Sequence, residues 1–341
     1  MDPRGAAGAA GRVRVDAGAA ELPGLRPAWL VFGPHQGRTM APMTTSSGAH
    51  PSQSPPAVGV IGGSGLYEID GLTDIDEVVL STPFGDPSDA FVTGQLDGVR
   101  MVFLPRHGRG HRISPSEINF RANIWGMKSL GVTDVLGVGA VGSLSEDIPP
   151  GDFVAVDQFI DRTRHRADTF FEGGVVAHVM FGDPVCNDLR AVLRDAARET
   201  GVTVHDGGTY LCMEGPAFST RAESKLYRSW GAHVIGMTNL QEAKLAREAE
   251  LGYATLAMST DFDCWHEGHD DVTVEAILEV MAKNVNNARE AVRIAAPRVA
   301  ALGPRPCHTA LENAILTRPD AIPDEARLRL GLIIDRALGA R

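Results

Sequence analysis

The chain has 341 residues, of which 43% are hydrophobic, and a net charge of −11. This length can bury one large core, and the acidic balance indicates no nucleic-acid-binding face. No apolar run in the chain reaches the ~18 residues of a membrane span. The four cysteines are widely spaced without a CxxC pair, which predicts free thiols in a reducing compartment. Since no signal-peptide pattern is found, we expect a cytoplasmic protein.

The two ends of the chain differ in composition from its middle. Residues 1–57 are rich in Ala, Gly, Arg, Pro and Ser, and 43–57 are of low complexity. Such sequences bury too little apolar surface to fold, so we predict a disordered N-terminal extension over 1–57. A globular domain is expected over 58–300, followed by a C-terminal helical extension over 301–341. Its last helix should follow Pro323, because proline suits a first helical turn.

Short apolar runs alternate with helical patterns through the middle of the chain. The runs are nearly continuous in apolar character, as expected of strands covered on both faces. In chain order they are VGVIG (58–62), MVFLP (101–105), DVLGVGAVG (134–142), DFVAVDQFI (152–160), TYLCMEG (209–215), HVIGM (233–237) and YATLAMSTD (253–261). Helical spacing is found at 188–200, 219–230, 240–250 and 272–296. The alternation predicts an α/β domain around a mainly parallel or mixed sheet.

The first apolar run ends in a glycine loop, VGVIGGSG (58–65). A dinucleotide fingerprint would need a third glycine where Glu68 stands, and a P-loop would need a lysine that this loop lacks. What remains is a strand-end loop with free backbone N–H groups and the hydroxyl of Ser64. That combination suits a single small anion, although an ordinary tight turn stays open at this point.

Two further stretches contain the chemistry-bearing side chains. LPRHGRGHRISPSEINFRANIW (104–125) brings a cluster of cations directly after a strand, including Arg106 and His107, and guanidinium groups bind phosphate oxygens as a fork. The alternative is a solvated basic loop. GAVGSL (139–144) is another strand that ends in glycine and allows a close approach to the backbone.

MSTDFDCWHE (258–267) places Asp261 and Asp263 two residues apart after an apolar strand. If the strand geometry persists, both carboxyl groups point the same way. Such a pair can accept from an exocyclic amine and share a proton with a ring nitrogen, as in a 6-aminopurine. The alternatives are a capping acid beside a surface acid, or a metal site. His266 and His269 stand nearby, but without a recognised ligand spacing.

The order of these motifs resembles one family. IGGSGLY, TPFGDPSDA, RHGRGHRISPSEINFRANIW, GAVGSL, PGDFVAVDQFIDRT, EGPAFSTRAES, GMTNLQEAKLARE and STDFDCWHE, over 58–295, look like the 5′-methylthioadenosine phosphorylase branch of the trimeric purine nucleoside phosphorylases. The resemblance implies a single-domain α/β fold with a mixed, partly barrel-closed central sheet flanked by helices. It implies a homotrimer whose sites lie at subunit interfaces, with no nucleic-acid or membrane partner. The implied reaction is phosphorolysis of a nucleoside, with inorganic phosphate as co-substrate and no cofactor.

The resemblance also implies roles for individual residues. Phosphate would be held by Ser64, Arg106, His107, Ala140, Ser219 and Thr238. The nucleoside would contact Phe218, Met237, Val274, Ile277 and Leu278, together with His178 from the neighbouring subunit. Asp261 and Asp263 would be the catalytic acids that read adenine through N7 and the 6-amino group. Gly139 departs from the family pattern, because the relatives that cleave adenosine have a threonine there.

The expected activity is therefore phosphorolysis of S-methyl-5′-thioadenosine, with adenosine as a further substrate, in purine and methionine salvage. A carboxylate facing the 6-position accepts from an amine and repels a carbonyl oxygen, so inosine and guanosine should be poor substrates. One alternative is a purine nucleoside phosphorylase of broad or 6-oxopurine specificity, which Gly139 favours. Another is a nucleoside-binding protein without turnover, and a dinucleotide-dependent oxidoreductase is more distant.

Overall fold

The computed structural model describes residues 56–63, 65–266 and 274–339, and for 274–278 it describes the backbone alone. The predicted disorder of residues 1–57 therefore falls almost entirely outside the described residues. Ala57 already belongs to the first strand and is buried.

Within the described residues, eleven strands form one sheet and six α-helices flank it. The strands are β1 (Ala57–Gly62), β2 (Thr73–Val78), β3 (Phe91–Leu96), β4 (Val99–Pro105), β5 (Val132–Ser143), β6 (Phe153–Ala155), β7 (Gln158–Arg162), β8 (Val204–Asp206), β9 (Thr209–Met213), β10 (Val234–Gly236) and β11 (Gly252–Phe262). The helices are α1 (Phe120–Ser129), α2 (Asn187–Glu199), α3 (Arg221–Ser229), α4 (Asn239–Glu248), α5 (Val274–Ala300) and α6 (Asp324–Ile334).

The centre of the sheet is parallel and covered on both faces. β1 lies between β4 and β5 and is parallel to both, and β11 is parallel to β5 on its other edge. Side chains of β1, and those of β5 up to Val138, enter two different buried clusters on the two faces of the sheet. One cluster also contains residues of α2 and α5, and the other also contains residues of α1, α4 and α6. Because both faces are buried, these strands are continuously apolar, as predicted.

The predicted mixed sheet is confirmed, but the expected partial closure into a barrel is wrong. β5 has twelve residues and β1 has only six, so the C-terminal part of β5 extends beyond β1. β10 pairs antiparallel with this extension. The pairing then continues through β9 to β7, while β11 leads through β6 to β8. The sheet therefore branches at β5. No pairing among the described strands joins the resulting edges, so the sheet stays open.

The C-terminal residues pack on the same core as the rest of the domain. The predicted last helix is confirmed as α6, with Pro323 at its N-cap. Its residues Leu330 and Ile333 belong to the buried cluster that also contains Phe91 and Tyr253. Among the helices that the structure describes, α5 is the longest, with 27 residues. No helix in the described part of the chain is long and apolar enough to cross a membrane.

Candidate active site

The carboxyl ends of the central parallel strands meet at one edge of the sheet, where open α/β sheets bind their ligands. Arg106 directly follows β4, and its backbone N–H donates to the carbonyl of Gly62 at the end of β1 at 2.8 Å. On the other side, Gly142 of β5 pairs with Asp261 of β11. The glycine loop, the basic cluster and the acid pair, which are far apart in sequence, therefore share this edge.

Arg106 is held by a buried network. Its Nε donates to Oε1 of Glu242 at 2.5 Å, and Nη2 donates to Oε2 at 3.0 Å. Nη2 also donates to the carbonyl of Ile61, and Nη1 to that of Val138 at 2.8 Å. Burial opposes the charge of Arg106, but the Glu242 carboxylate outweighs it and raises the pKa of the guanidinium. Since a guanidinium has five N–H groups, one N–H of Nη1 remains for a ligand.

That remaining N–H lies beside Gly139. A Cβ atom on Gly139 would be 3.6 Å from Nη1 of Arg106 and 3.3 Å from Oδ1 of Asn239. The Asn239 amide nitrogen donates at 2.9 Å to the hydroxyls of Tyr253 and Thr255. Tyr253 in turn donates to Oε2 of Glu242 at 2.9 Å. The absence of a side chain at Gly139 therefore leaves a space bounded by a cation and an amide oxygen.

His107 is held neutral beside Arg106. Its Nδ1 lies 2.9 Å from the carbonyl of Ile113, which can only accept, so Nδ1 carries the proton and Nε2 is an acceptor. Burial, together with the nearby charges of Arg106 and His111, lowers the pKa of His107 to about 4. Neutral His107 can therefore accept a hydrogen bond from a protonated oxygen of a ligand through Nε2.

The N-terminus of α4 points its free N–H groups at the same edge. Thr238 is the N-cap, is buried, and makes no capping hydrogen bond with its own side chain. A helix N-terminus with unsatisfied N–H groups favours an anion. The preceding carbonyl, that of Met237, accepts from Nη1 of Arg166, whose Nη2 donates to the carbonyl of Glu214 at 2.6 Å. Arg166 thus fixes the turn that contains Met237.

The two acids lie across Gly142. A Cβ atom on Gly142 would be 3.5 Å from Cβ of Asp263 and 3.6 Å from Oδ2 of Asp261. Asp261 accepts from the hydroxyl of Thr260 at 2.7 Å, and Asp263 accepts from the hydroxyl of Ser219 at 2.6 Å. Burial, reinforced by the charge of Asp263, raises the pKa of Asp261 above its ordinary value. The site therefore places a carboxyl group whose surroundings favour its protonated form beside a second carboxyl group.

Comparison with known proteins identifies the family. A model of the phosphorylase superfamily matches residues 57–296. The chain belongs to this superfamily. The S-methyl-5′-thioadenosine phosphorylase of Geobacter sulfurreducens is 63% identical over 278 residues, which are 81% of this chain and 97% of the relative. That of Thermosynechococcus vestitus is 58% identical over 285 residues, 82% of this chain and 99% of the relative.

Solved structures agree with this assignment. A methylthioadenosine phosphorylase from an antarctic soil metagenomic library superposes with a TM-score of 0.79 at 46% identity, covering 82% of this chain and 99% of that chain. The methylthioadenosine phosphorylase of Schistosoma mansoni in complex with tubercidin gives 0.68 at 39% identity, covering 73% and 93%. The chain therefore lies in the methylthioadenosine phosphorylase branch of the superfamily.

In this phosphorylase, the structure brings several of the predicted residues together. Arg106, Thr238, Met237 and Asp261 lie at the strand ends, as does Ala140, which is exposed on β5. Ser219 lies there too, but its hydroxyl is bonded to Asp263, on the side of the acid pair. Phe218, beside Ser219, is 84% exposed.

Other predicted residues of the phosphorylase are not in this cluster or are not described. His178 lines a separate cavity of about 430 Å³ together with Glu248, at the far end of α4. Glu248 lies ten residues after Thr238 on α4, so the two residues are about 15 Å apart along the helix. Ser64 lies outside the described residues. Val274, Ile277 and Leu278 begin α5, where only the backbone is described.

Sequence reasoning missed the residues that hold the phosphorylase site in place, chiefly Glu242, Tyr253, Asn239 and Arg166. One signal was available for Glu242 and Asn239. Both are polar residues of the buried helix α4, in which Ala243 and Leu245 are fully buried as well. A charged residue is almost never fully buried without a partner, so Glu242 required one.

Proposed function

We propose that the chain catalyses phosphorolysis of S-methyl-5′-thioadenosine, releasing adenine and S-methyl-5-thio-α-D-ribose 1-phosphate. One observation carries the proposal: Arg106, which keeps one N–H for an anion, and Asp261, whose pKa is raised, lie at the carboxyl ends of β4 and β11, two strands of the same parallel set. This chain matches two S-methyl-5′-thioadenosine phosphorylases over nearly their whole length. Inorganic phosphate is the co-substrate, and the reaction as proposed needs no cofactor.

The phosphate end of the site provides the nucleophile. The remaining N–H of Arg106, the backbone at Ala140 and the N–H groups at the start of α4 are donors for phosphate oxygens. Neutral His107 accepts from a protonated phosphate oxygen. A phosphate held beneath the sugar attacks the anomeric carbon and stabilises the positive charge that develops there.

The base end of the site protonates the leaving group. As the N-glycosidic bond breaks, negative charge accumulates on the purine, and protonated Asp261 delivers its proton to N7. Asp263 accepts from the 6-amino group, and the hydroxyl of Ser219 fixes its orientation. A 6-oxopurine would present an acceptor to this carboxylate. The proposed substrates are therefore 6-aminopurine nucleosides.

The test is phosphate-dependent base release by the purified chain, with methylthioadenosine and inosine assayed in parallel. We expect fast adenine release and little hypoxanthine. Adenosine should be a slower substrate, because an apolar pocket discriminates only modestly between a methylthio group and a hydroxyl. Comparable release from inosine would replace the proposal with a broad purine nucleoside phosphorylase. Binding of adenine without any release would replace it with a nucleoside-binding protein.

The proposal includes a cytoplasmic homotrimer. His178 lies away from the cluster on its own chain and lines a cavity of mixed polar and apolar character beside exposed Val176 and Met180, as a residue lent to a neighbouring subunit would. Light scattering coupled to size exclusion measures the mass. A trimer is expected, and a monomer that retains full turnover would refute this part of the proposal.

A further inference from the structure

Strand β11 contains a β-bulge immediately before the proposed proton donor. Ser259 pairs with Val141 of β5 and Asp261 pairs with Gly142, so Thr260 is the extra residue of the bulge. In a regular strand, the side chains of two consecutive residues point to opposite faces of the sheet. A bulge re-aims side chains, and bulges are frequent beside active sites. Here the side chains of the consecutive residues Thr260 and Asp261 meet, with Oγ1 of Thr260 2.7 Å from Oδ1 of Asp261.

Hydrogen bonds hold the backbone on both sides of the bulge. Before it, the carbonyl of Ser259 accepts from the N–H of Gly151 at 2.8 Å and from the side-chain amide of Asn284 at 2.9 Å. After it, the N–H of Asp263 donates to the carbonyl of Ser143 at 2.9 Å. The extra residue is therefore a fixed part of the strand, and its side chain has a defined position beside the acid pair.

The Thr260 hydroxyl has two acceptors within reach. One is Oδ1 of Asp261 at 2.7 Å, and the other is the carbonyl oxygen of Val141 at 3.2 Å. A hydroxyl has a single hydrogen, so it donates to one of these oxygens at a time. Thr260 is buried, which gives solvent little access to this hydrogen. The hydroxyl can therefore exchange one protein acceptor for the other without losing its hydrogen bond.

The charge of Asp261 decides which acceptor is favoured. While the carboxyl group is protonated, the Val141 carbonyl can accept the hydrogen of Thr260. Once the carboxyl group is ionised, Oδ1 is the better acceptor, since a hydrogen bond to a charged oxygen is about twice as strong as one between neutral groups. The second carboxyl oxygen, Oδ2, accepts no hydrogen bond from the described residues and lies 3.6 Å from where a Cβ atom on Gly142 would be. Oδ2 is therefore the oxygen that is left for a ligand.

We propose that Thr260 is a positioning residue that stabilises the carboxylate of Asp261 as it forms. The inference rests on the proposed function, in which Oδ2 of Asp261 gives its proton to N7 of the purine. As the O–H bond breaks, its electron pair stays on the carboxylate, and the lone pair of N7 binds the proton. The Thr260 hydroxyl then rotates from the Val141 carbonyl to Oδ1. A hydrogen bond that strengthens as charge develops lowers the barrier of the step and does not tighten substrate binding.

The surroundings of Asp261 otherwise oppose its ionisation. Burial and the charge of Asp263 raise the pKa of Asp261, and the hydroxyl of Thr260 acts in the opposite direction. Asp263 is the charged group that faces Asp261 in the part of the chain that the structure describes. Val141 and Gly142, which lie opposite on β5, have no charge. Thr260 therefore keeps Asp261 acidic enough to release its proton to the leaving base.

The test is steady-state kinetics on methylthioadenosine across pH. Thr260→Val keeps the shape of the side chain but loses the hydroxyl, so kcat should fall about 10–100-fold, as expected for one hydrogen bond to a charged group. Both KM values should stay nearly unchanged. The decline of kcat at high pH should move to higher pH, because the pKa of Asp261 rises without the hydroxyl. Thr260→Ser keeps the hydroxyl and should recover most of the rate and the wild-type pH profile.

The matched control is Ser259→Ala, which removes a buried hydroxyl of the same bulge that bonds to none of the described residues. It should keep the wild-type kcat and pH profile. A double-mutant cycle then separates the proposed role from packing. Because Asp261→Asn delivers no proton, adding Thr260→Val to it should lower kcat little further. Thr260→Ala replaces Thr260→Val throughout if the valine variant does not fold.

Three outcomes would overturn the inference. The first is a slower Thr260→Val whose pH profile coincides with that of the wild type. The second is an equal loss of kcat in the wild-type and Asp261→Asn backgrounds. The third is a Thr260→Ser variant that is as slow as Thr260→Val.

The pKa of Asp261 can also be measured without turnover. Carbon-13 NMR follows the titration of labelled aspartate carboxyl groups, and the signal missing from Asp261→Asn belongs to Asp261. We expect a higher pKa in Thr260→Val than in the wild type, and equal values would refute the role of Thr260. If the wild type released no adenine, the proposed function would fail, and this titration would still decide whether Thr260 acts on Asp261.

Discussion

Asp261 is a carboxyl group whose surroundings favour its protonated form. Burial and the neighbouring Asp263 raise its pKa, so it can serve as a proton donor. Asp261→Asn should lower kcat for methylthioadenosine by about 10²–10⁴-fold, because the amide cannot deliver a proton to N7, while KM changes little. In the wild type, kcat should fall as the pH rises through the pKa of Asp261. Steady-state kinetics across pH measures both effects.

The control for Asp261 is Glu146→Gln, because the side chain of Glu146 is 74% exposed. This variant should behave as the wild type. Wild-type turnover in Asp261→Asn would remove Asp261 from the mechanism. If kcat of Asp261→Asn still falls at high pH as it does in the wild type, another group is responsible for the titration.

Glu242 is a positioning residue, because it acts through Arg106. It binds both Nε and Nη2 of Arg106 and so fixes the position of Nη1 near Gly139. Glu242→Gln keeps the shape but loses the charge and one acceptor oxygen. The guanidinium can then rotate, and a charge-assisted hydrogen bond to phosphate is weakened. We expect the KM for phosphate to rise about 10–100-fold with a nearly unchanged KM for the nucleoside.

The matched control is Glu248→Gln, since Glu248 is a buried glutamate on the same helix that contacts Thr169 and Phe170. Its KM for phosphate should stay at the wild-type value. Glu242→Asp should recover part of the loss, because it restores the charge. Equal changes in both KM values of Glu242→Gln would indicate a general structural defect, and the positioning role would then be rejected.

At the scale of elements, strand β5 contributes a glycine where the two acids need room. A methyl group at Gly142 would lie 3.2 Å from Ile235 and 3.5 Å from Cβ of Asp263. The contact with Ile235 is the tight one, so Gly142→Ala should displace Ile235 and with it β10, which leads directly to Met237 and Thr238. A displacement of about 1 Å at the site can cost about 10²-fold in kcat/KM. Gly303→Ala, where a Cβ atom meets nothing within 4 Å, is the control. A Gly142→Ala variant as active as Gly303→Ala would contradict this packing argument.

The predicted elements agree with the structure where burial dictates the pattern. β1, β5 and β11 are buried on both faces, and their apolar runs identified them. β2 was missed because it is a largely exposed edge strand, TDIDEV, without apolar alternation. The single predicted strand over 152–160 is β6 and β7, which are interrupted at Val156 and Asp157 because they pair with different neighbours.

At the scale of the whole molecule, Glu248 makes stability depend on pH. Burial raises its pKa from 4.5 to about 7, although Phe170 and Thr169 donate to it. The folded state thus binds the proton more tightly than the unfolded chain. The stability that results from this tighter proton binding is complete below pH 4.5 and is lost as the pH rises through about 7. It should lower the free energy of unfolding by at most about 3 kcal/mol across that window.

Glu248→Gln removes this titration. Urea unfolding from pH 4.5 to 7.5 should give a flatter pH dependence for the variant than for the wild type, with the two curves diverging as the pH rises. Glu146→Gln, which changes an exposed carboxylate, should follow the wild-type curve. Parallel curves for Glu248→Gln and the wild type would show that Glu248 titrates normally.

The sequence by itself determined the class of fold, the central strands, the glycine loop, the basic cluster and the acid pair. These features depend on local composition and periodicity, which are present in short stretches of chain. Only the tertiary structure decided that the sheet branches at β5 and stays open, that Ser219 bonds to Asp263, and that Glu242 holds Arg106. The contact of Ser219 with Asp263 joins residues 44 positions apart, and that of Arg106 with Glu242 joins residues 136 positions apart. The branching of the sheet depends on which edge of β5 is free. Packing selects such partners, and no local pattern in the chain specifies them.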